Sequence, residues 1–504
     1  MAVIDGKRAW RRAVDAGATW SAALALAAGT LPATAQVPAS SSPSAAAPTG
    51  QALDAALEAY LRAATRNEQF SGTVLLARGG KPVFVRSYGM ANYELGVPNG
   101  ADTVFRLASV TKQFTALAVM QLQERGKLKV DDPICRHLAD CPAAWRPITI
   151  RQLLNHTSGI PNFSSLPEWD EVLSRRDYTP ARLVALFRDL PLKSTPGEKY
   201  DYSNSGYHLL GLIIERASGM GWGDYVKQHI LAPIGMTHSG DDNTRALIPH
   251  RAAGYYSLGT TFINAPIISR TVGYAAGGLY STVGDLLLWD RALTPGRLVG
   301  RASLDAMFTP AKSNYGFGWR IGERFGRREM DHSGSDNGFS TYIIRFPADN
   351  LTAIVLSNSD RASAGKVGNA MAAIAFGQPV TLPVAQLREI LWDRIDRDGV
   401  GGAIAQYREL KRSGAKLDFG DDALVGLGYD LYEAHRYADA RAIFRLNLTV
   451  YPRSAYSHDG LADIAVAEGD PRQAIALFRR SLALDPANTY ASDALKRLQT
   501  AADR

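Results

Sequence analysis

Apolar residues recur at helical spacing from Ala52 to Arg66, which predicts an amphipathic helix at the start of the patterned chain. The period then shortens to two. Thr73–Ala77 and Pro82–Ser87 read as strands, joined by a hairpin turn at Arg78-Gly79-Gly80-Lys81. Alternation returns near Gly316–Ile321, Thr341–Phe346 and Thr352–Ser357, and a helix follows near Lys366–Phe376. Helical patterns dominate between these two strand-bearing ends. Beyond Pro379 the chain reads as helices only, including 387–412 and 490–500. There Gly426 pairs with Gly460, Ala440 with Ala474, Phe444 with Phe478 and Pro452 with Pro486, always at an offset of 34 residues. Small residues permit close helix crossing and a proline ends each second helix, so this region reads as an internal helical repeat.

One stripe carries candidate chemistry. Ser109-Val110-Thr111-Lys112 precedes an apolar helical face made of Phe114, Leu117 and Met120. Residues three apart share a helix face, so the Lys112 amine can reach the Ser109 oxygen and activate a poor nucleophile. Spacing alone is weak, because Ser363–Lys366 and Ser413–Lys416 repeat it. Ser363 lies in a small-residue stretch after a strand, and Ser413 precedes a helix-stopping glycine. Ser109 instead opens a buried helix, where free N–H groups favour developing negative charge.

Two further segments complete a constellation. Tyr202-Ser203-Asn204 follows the turn Thr195-Pro196-Gly197-Glu198 and leads into an apolar helix from Tyr207 to Ala217. A tyrosine there can reach a serine hydroxyl, with a cationic lysine favouring its phenolate. The asparagine offers a donor and an acceptor to a substrate amide. His332-Ser333-Gly334-Ser335 lies ahead of the strand at 341–346, where small residues admit a substrate carbonyl to backbone N–H groups.

With these three segments in this order, the chain resembles the serine β-lactamase-like superfamily built on Ser-x-x-Lys. It is most similar to the branch holding class C β-lactamases, D-alanyl-D-alanine carboxypeptidases, D-aminopeptidases and family VIII esterases. Leu153-Leu154-Asn155-His156-Thr157-Ser158-Gly159-Ile160-Pro161 and Ala276-Gly277-Gly278-Leu279-Tyr280-Ser281-Thr282 resemble two more segments of that branch, and the likeness spans roughly residues 52–377. The resemblance implies an α/β fold with an antiparallel sheet flanked by helices plus a mainly helical subdomain. The C-terminal repeats resemble tetratricopeptide repeats, an all-α module.

By the same resemblance, Ser109 forms an acyl-enzyme while Tyr202 and Lys112 accept and return its proton. Backbone N–H groups of Ser109 and Ser335, beside Gly334, bind the oxyanion; Asn204 and Asn155 hold the substrate amide or ester. The branch's β-lactamases usually carry Lys-Thr-Gly at the third motif, and here His332 replaces the lysine. A mostly neutral histidine supplies less charge to a substrate carboxylate. This points away from a fast β-lactamase and towards an esterase or peptidase, with His332 either a strand residue or a substrate contact. His156 reads as fixing a loop. The implied substrates are esters, D-amino-acid peptides or β-lactam-like amides.

Composition adds boundaries. At 504 residues and 46% hydrophobic content, the chain can bury two or three cores. Lys7, Arg8, Arg11 and Arg12 precede an apolar stretch and Ala33-Thr34-Ala35, a signal-peptide pattern over 1–35; its apolar run is too short for a membrane span. Residues 36–50 read as an Ala/Pro/Ser-rich linker, 51–378 as the hydrolase domain and 384–504 as the repeat domain. An exported, periplasmic or secreted protein follows. Four basic and two acidic residues in the leader leave +5 of the +7 formal charge, without a dense basic run, so no nucleic-acid partner is expected. No metal-ligand set or cofactor motif occurs, so no metal and no cofactor are expected. Cys135 and Cys141 can close a small disulfide loop in an oxidising compartment, or remain buried thiols. The repeats suggest a protein partner or self-association. The rival reading is a non-catalytic peptidoglycan- or protein-binding scaffold on the same fold. An α/β-hydrolase lacks support, since no Gly-x-Ser-x-Gly elbow occurs.

Overall fold

The computed structural model describes residues 47–502, except 68, 171, 243, 244 and 362. The expected leader and nearly all of the linker lie outside these residues. The chain divides into two compact units: one holds residues 47–256 and 263–384, the other 257–262 and 385–502.

The first unit is organised by a six-stranded antiparallel sheet. Its strands are β1 (Gly72–Arg78), β2 (Lys81–Tyr88), β3 (Arg320–Arg324), β4 (Arg327–Asp336), β5 (Phe339–Phe346) and β6 (Leu351–Ser357), in the order β3-β4-β5-β6-β1-β2. Both chain ends of the unit therefore meet in one sheet, with β1 paired to β6 through Leu75↔Ile354. The β1–β2 hairpin turns on Gly79 and Gly80, at φ 59° and 68°, which glycine adopts without strain.

The central strands are apolar on both sides because both faces are covered. Val74, Leu76, Tyr342, Ile344 and Val355 pack with helices α1 (Gly50–Asn67) and α4 (Ala364–Ala375), through Leu57, Leu61, Val367 and Met371. Their alternates Leu75, Ile343, Ile354 and Leu356 face the larger core, which contains α2 (Thr111–Glu124) and α3 (Asn204–Ser218). Each such fully buried side chain contributes about 1.5–3 kcal/mol of transfer free energy. Under α2, Phe114 stacks on Trp289 with ring centroids 4.0 Å apart.

Two strand expectations need correction. Residues 316–319 are not a strand; β3 begins only at Arg320. A Cβ at Gly318 (φ 76°) would stand 2.8 Å from the Lys112 carbonyl, so this segment bends across α2 on glycine. Residues 332–335, expected only to lie ahead of a strand, do precede β5 but are themselves part of β4, a ten-residue strand hidden by its polar sequence. Cys135 and Cys141 are disulfide-bonded, with Cα atoms 5.3 Å apart. Among the described residues, no helix is long and apolar enough to cross a membrane.

The second unit is helical. It comprises α5 (Leu387–Arg412, interrupted at Gly399), α6 (Asp421–Glu433), α7 (Tyr437–Val450), α8 (Ala455–Ala467), α9 (Pro471–Leu484) and α10 (Thr489–Ala502). Helices α6 and α7 return as α8 and α9 at the 34-residue offset. Phe444 shows why small residues recur. Its ring lies where a Cβ on Gly428 or Gly460 would clash, at 2.5 and 2.2 Å, so α6 and α8 both press against it.

Candidate active site

Ser109 lies in a single 3-10 turn, Ala108–Val110, that feeds directly into α2. Ala108 has φ 48°, a left-handed conformation rare outside glycine, immediately before the candidate nucleophile. The turn is pinned from both sides. The Leu107 amide donates to the Leu279 carbonyl (2.8 Å), and the Thr341 hydroxyl donates to the Leu107 carbonyl (2.8 Å). Gly334 on β4 comes so close that a Cβ there would meet the Leu107 oxygen at 2.2 Å and the Ser109 nitrogen at 3.1 Å. Only glycine lets the third motif approach the Ser109 amide.

Lys112 is fully buried, and its Nζ has three oxygen neighbours: Ser109 Oγ at 2.9 Å, Asn204 Oδ1 at 2.8 Å and the Ala276 carbonyl at 2.7 Å. Burial pushes its amine well below the usual lysine range. A neutral amine has two N–H bonds and one lone pair. Asn204 Oδ1 and the Ala276 oxygen can only accept, so in the uncharged form they take both hydrogens and leave the lone pair for the Ser109 hydroxyl; as an ammonium, Nζ donates to Ser109 Oγ as well.

Tyr202 completes the triad by donating its hydroxyl to Ser109 Oγ (2.9 Å). Its phenol is pushed up from the ordinary value, by burial first, although the Ser109 hydrogen bond acts the other way. The phenolate expected from a neighbouring cationic lysine is therefore disfavoured, because the same burial that raises the phenol also pushes the lysine amine down. Asn204 is oriented by its own partners: its Nδ2 donates to Ser164 Oγ (3.1 Å) and its backbone N–H to Asn162 Oδ1 (3.1 Å).

His332 is placed differently from a substrate contact. Its Nδ1 is 2.7 Å from the Ser333 carbonyl, which can only accept, so Nδ1 carries the hydrogen. Burial, and then Arg320 and Lys112, push the ring well below the usual histidine range. The neutral ring thus accepts at Nε2 from the Tyr315 hydroxyl, 2.8 Å away. Both nitrogens are engaged by the protein. Asn155 is buried at the end of the short helix Ile150–Leu154, where its Oδ1 accepts from the Thr157 hydroxyl (2.7 Å). Ser335 is exposed on β4, next to Gly334.

Arg320, unremarked in the sequence, brings a positive charge beside the third motif from the neighbouring strand. Register pairs Arg320 with Asp331 across β3 and β4, and its Nε donates to Asp331 Oδ1 at 2.9 Å. Its side chain stays 46% exposed, with Nη2 3.4 Å from Ser333 Oγ. Tyr315 was missed as well. The signal for Arg320 was the unrecognised strand 327–336, whose register sets it opposite Asp331; Tyr315 bridges to Arg320 and reaches the motif through His332.

This fold and this Ser–Lys–Tyr arrangement place the protein in the serine β-lactamase-like superfamily. Within it, the chain belongs to the Beta-lactamase family, whose profile matches residues 54–377. It is 34% identical over 340 residues to Penicillin-binding protein 4* of Bacillus subtilis (strain 168), covering 62% of this chain and 74% of that protein. A penicillin binding protein from Bacillus halodurans superposes with a TM-score of 0.56 at 30% identity, over 65% of this chain and 99% of that one. A D-stereospecific amidohydrolase from Streptomyces sp. gives 0.57 at 27% identity, over 64% and 99%.

Proposed function

We propose that this protein is a serine hydrolase working through an acyl-enzyme, with amides or peptides of D-amino acids as its principal substrate class. The observation that carries this reading is the buried Lys112 amine, 2.9 Å from the Ser109 hydroxyl and held there by the Asn204 and Ala276 oxygens. Ser109 Oγ attacks the substrate carbonyl carbon, and its proton passes to Lys112 Nζ. The oxyanion is held by backbone N–H groups of Ser109 and Ser335. As the carbonyl re-forms, the C–N or C–O bond breaks and the leaving atom takes a proton from Tyr202, which regains it from the Lys112 ammonium. Water then attacks the ester by the reverse path, with Lys112 again the base.

Substrate class is supported by the third motif and by the relatives' names. His332 is neutral and engaged, so an anionic substrate end would meet Ser333 and Arg320 instead. Simple esters and β-lactam-like amides share the acyl-enzyme step and serve as alternative acyl donors. An exported location agrees with the Cys135–Cys141 bond. The helical unit, with its 34-residue offset, is read as a tetratricopeptide-like module for a protein partner or self-association.

Intact-protein mass spectrometry after fluorophosphonate treatment tests the nucleophile. One adduct in the wild type and none in folded Ser109→Ala is expected, together with hydrolysis of a D-phenylalanine amide in preference to its L-isomer. An unlabelled, folded wild type would instead favour the binding-scaffold reading.

A further inference from the structure

The chain around Tyr202 is held by one residue that takes no part in the proton path. His156 accepts from the backbone on both sides of Tyr202: its carbonyl takes the Asp201 N–H (2.9 Å) and its Nδ1 takes the Ser203 N–H (3.1 Å). Its ring lies against the Tyr202 ring, with centroids 4.3 Å apart and planes tilted by 38°. The residue is buried and has φ 58°, so the backbone is bent into the left-handed region to bring both acceptors to one loop.

With Nδ1 an acceptor, the neutral ring carries its hydrogen on Nε2, and that buried nitrogen has no hydrogen-bond partner among the described residues. It lies among the rings of Tyr202, Tyr207 and Tyr315, within 5.1 Å centroid to centroid. Protonation of Nδ1 would end the bond to Ser203, and burial, followed by the nearby Lys112 and His332, opposes it. Tyr200 is the remaining titratable ring against His156, at 5.9 Å.

The neighbouring bonds define what His156 adds. The Ser203 hydroxyl donates to the Ile160 carbonyl, and the Asn204 N–H to Asn162 Oδ1. Those clamps fix the start of α3. His156 holds the peptide unit that leaves Tyr202, through the Ser203 N–H, and the unit that enters Asp201, through the Asp201 N–H, while the tyrosine hydroxyl hangs a full side-chain length away on Ser109. A small rotation of either peptide unit is amplified at that hydroxyl.

We propose that His156 is the positioning residue of Tyr202, setting the tyrosine hydroxyl on Ser109 by holding the backbone N–H groups of both neighbours, Asp201 and Ser203. This rests on the acyl-enzyme reading above. A misplacement of about 1 Å at a reacting group costs on the order of 10²-fold in rate.

The test separates acceptor from ring. His156→Asn retains an acceptor close to Nδ1 and tolerates the left-handed backbone, whereas His156→Phe retains the ring and loses the acceptor. Hydrolysis of an alkyl ester, whose alkoxide must be protonated to leave, is followed in both, in wild-type and Tyr202→Phe backgrounds, with circular dichroism as the folding control. We expect His156→Phe to lower kcat about 10²-fold with KM little changed, and His156→Asn to stay within roughly tenfold of wild type. In the Tyr202→Phe background neither change should matter further, since an effect exerted through Tyr202 cannot be paid twice. If His156→Phe does not fold, His156→Gln, which moves the acceptor by one methylene, replaces it in the cycle.

Additive losses in the two backgrounds would overturn the inference, as would recovery by Phe instead of Asn. A Tyr202→Phe single variant with wild-type kcat would overturn the reading of Tyr202 itself, a distinguishable failure.

Discussion

Ser109–Lys112 and Ser363–Lys366 have the same spacing, and each stands where a helix begins. At Ser363 the hydroxyl accepts from the Lys366 backbone N–H (3.3 Å) as the cap of α4, and both side chains are exposed. At Ser109 the hydroxyl caps nothing, and the lysine is buried beneath it. Serine three residues before lysine is compatible with either outcome, because capping also reaches three residues forward. The difference comes from elsewhere in the chain. Tyr202, Asn204 and the Ala276 carbonyl, lying 93, 92 and 164 residues from their partners, surround one pair and not the other.

The widest separation between the two pairs should come from the lysines. Lys112→Met is expected to slow acylation about 10²–10⁴-fold, as for loss of a general base, while Lys366→Met leaves it unchanged. Fluorophosphonate labelling rates of the folded variants check this, and equal rates would erase the distinction. The pH profile sharpens it. Lys112 must be uncharged to act, so kcat/KM should rise with pH through a midpoint below the ordinary lysine value of 10.5 and then level off. The same group binds a proton more tightly unfolded than folded. Its contribution to stability therefore increases as pH rises from its folded value towards 10.5, and it destabilises below that window.

A smaller, substrate-dependent effect should follow at the third motif. Arg320→Gln is expected to lower kcat/KM roughly 10- to 100-fold for D-peptides ending in a free carboxylate, the range of a charged hydrogen bond. Esters without a carboxylate should be unaffected. Equal losses on both substrates would mean that Arg320 supports β4 through Asp331 and does not meet the substrate.

The apolar framework was legible because its periods are plain. The helix read at 52–66 is Gly50–Asn67, and the strands read at 341–346 and 352–357 lie within β5 and β6. Strand β4 was not, because Glu329 and Asp331 are buried carboxylates that break its alternation. Their compensation is Arg324 and Arg320 on the partner strand, visible only once the register is known. For the same reason His332 could be seen as a departure from lysine, but not as an acceptor locked to Tyr315. Ser109, Lys112, Tyr202 and Asn204 were readable as local motifs; no local rule brings segments some 90 residues apart together. That step rested on family resemblance. The phenolate expectation failed because a neighbouring charge was weighed without the burial that opposes it.

The least effect is expected at the serine that shares the pattern without the site. Ser363→Ala should remove one accepted hydrogen bond from the first turn of α4, a loss of about 1 kcal/mol. Since α4 packs Val367 and Met371 against the sheet, the loss should appear as a fall of about 2 °C in Tm. Acylation should not change, since the cap hydroxyl touches its own helix and none of the residues around Ser109. Thermal melts and labelling rates on one preparation read both quantities. A drop in labelling without a drop in Tm would mean that the second serine has chemistry of its own, and that burial does not separate the two.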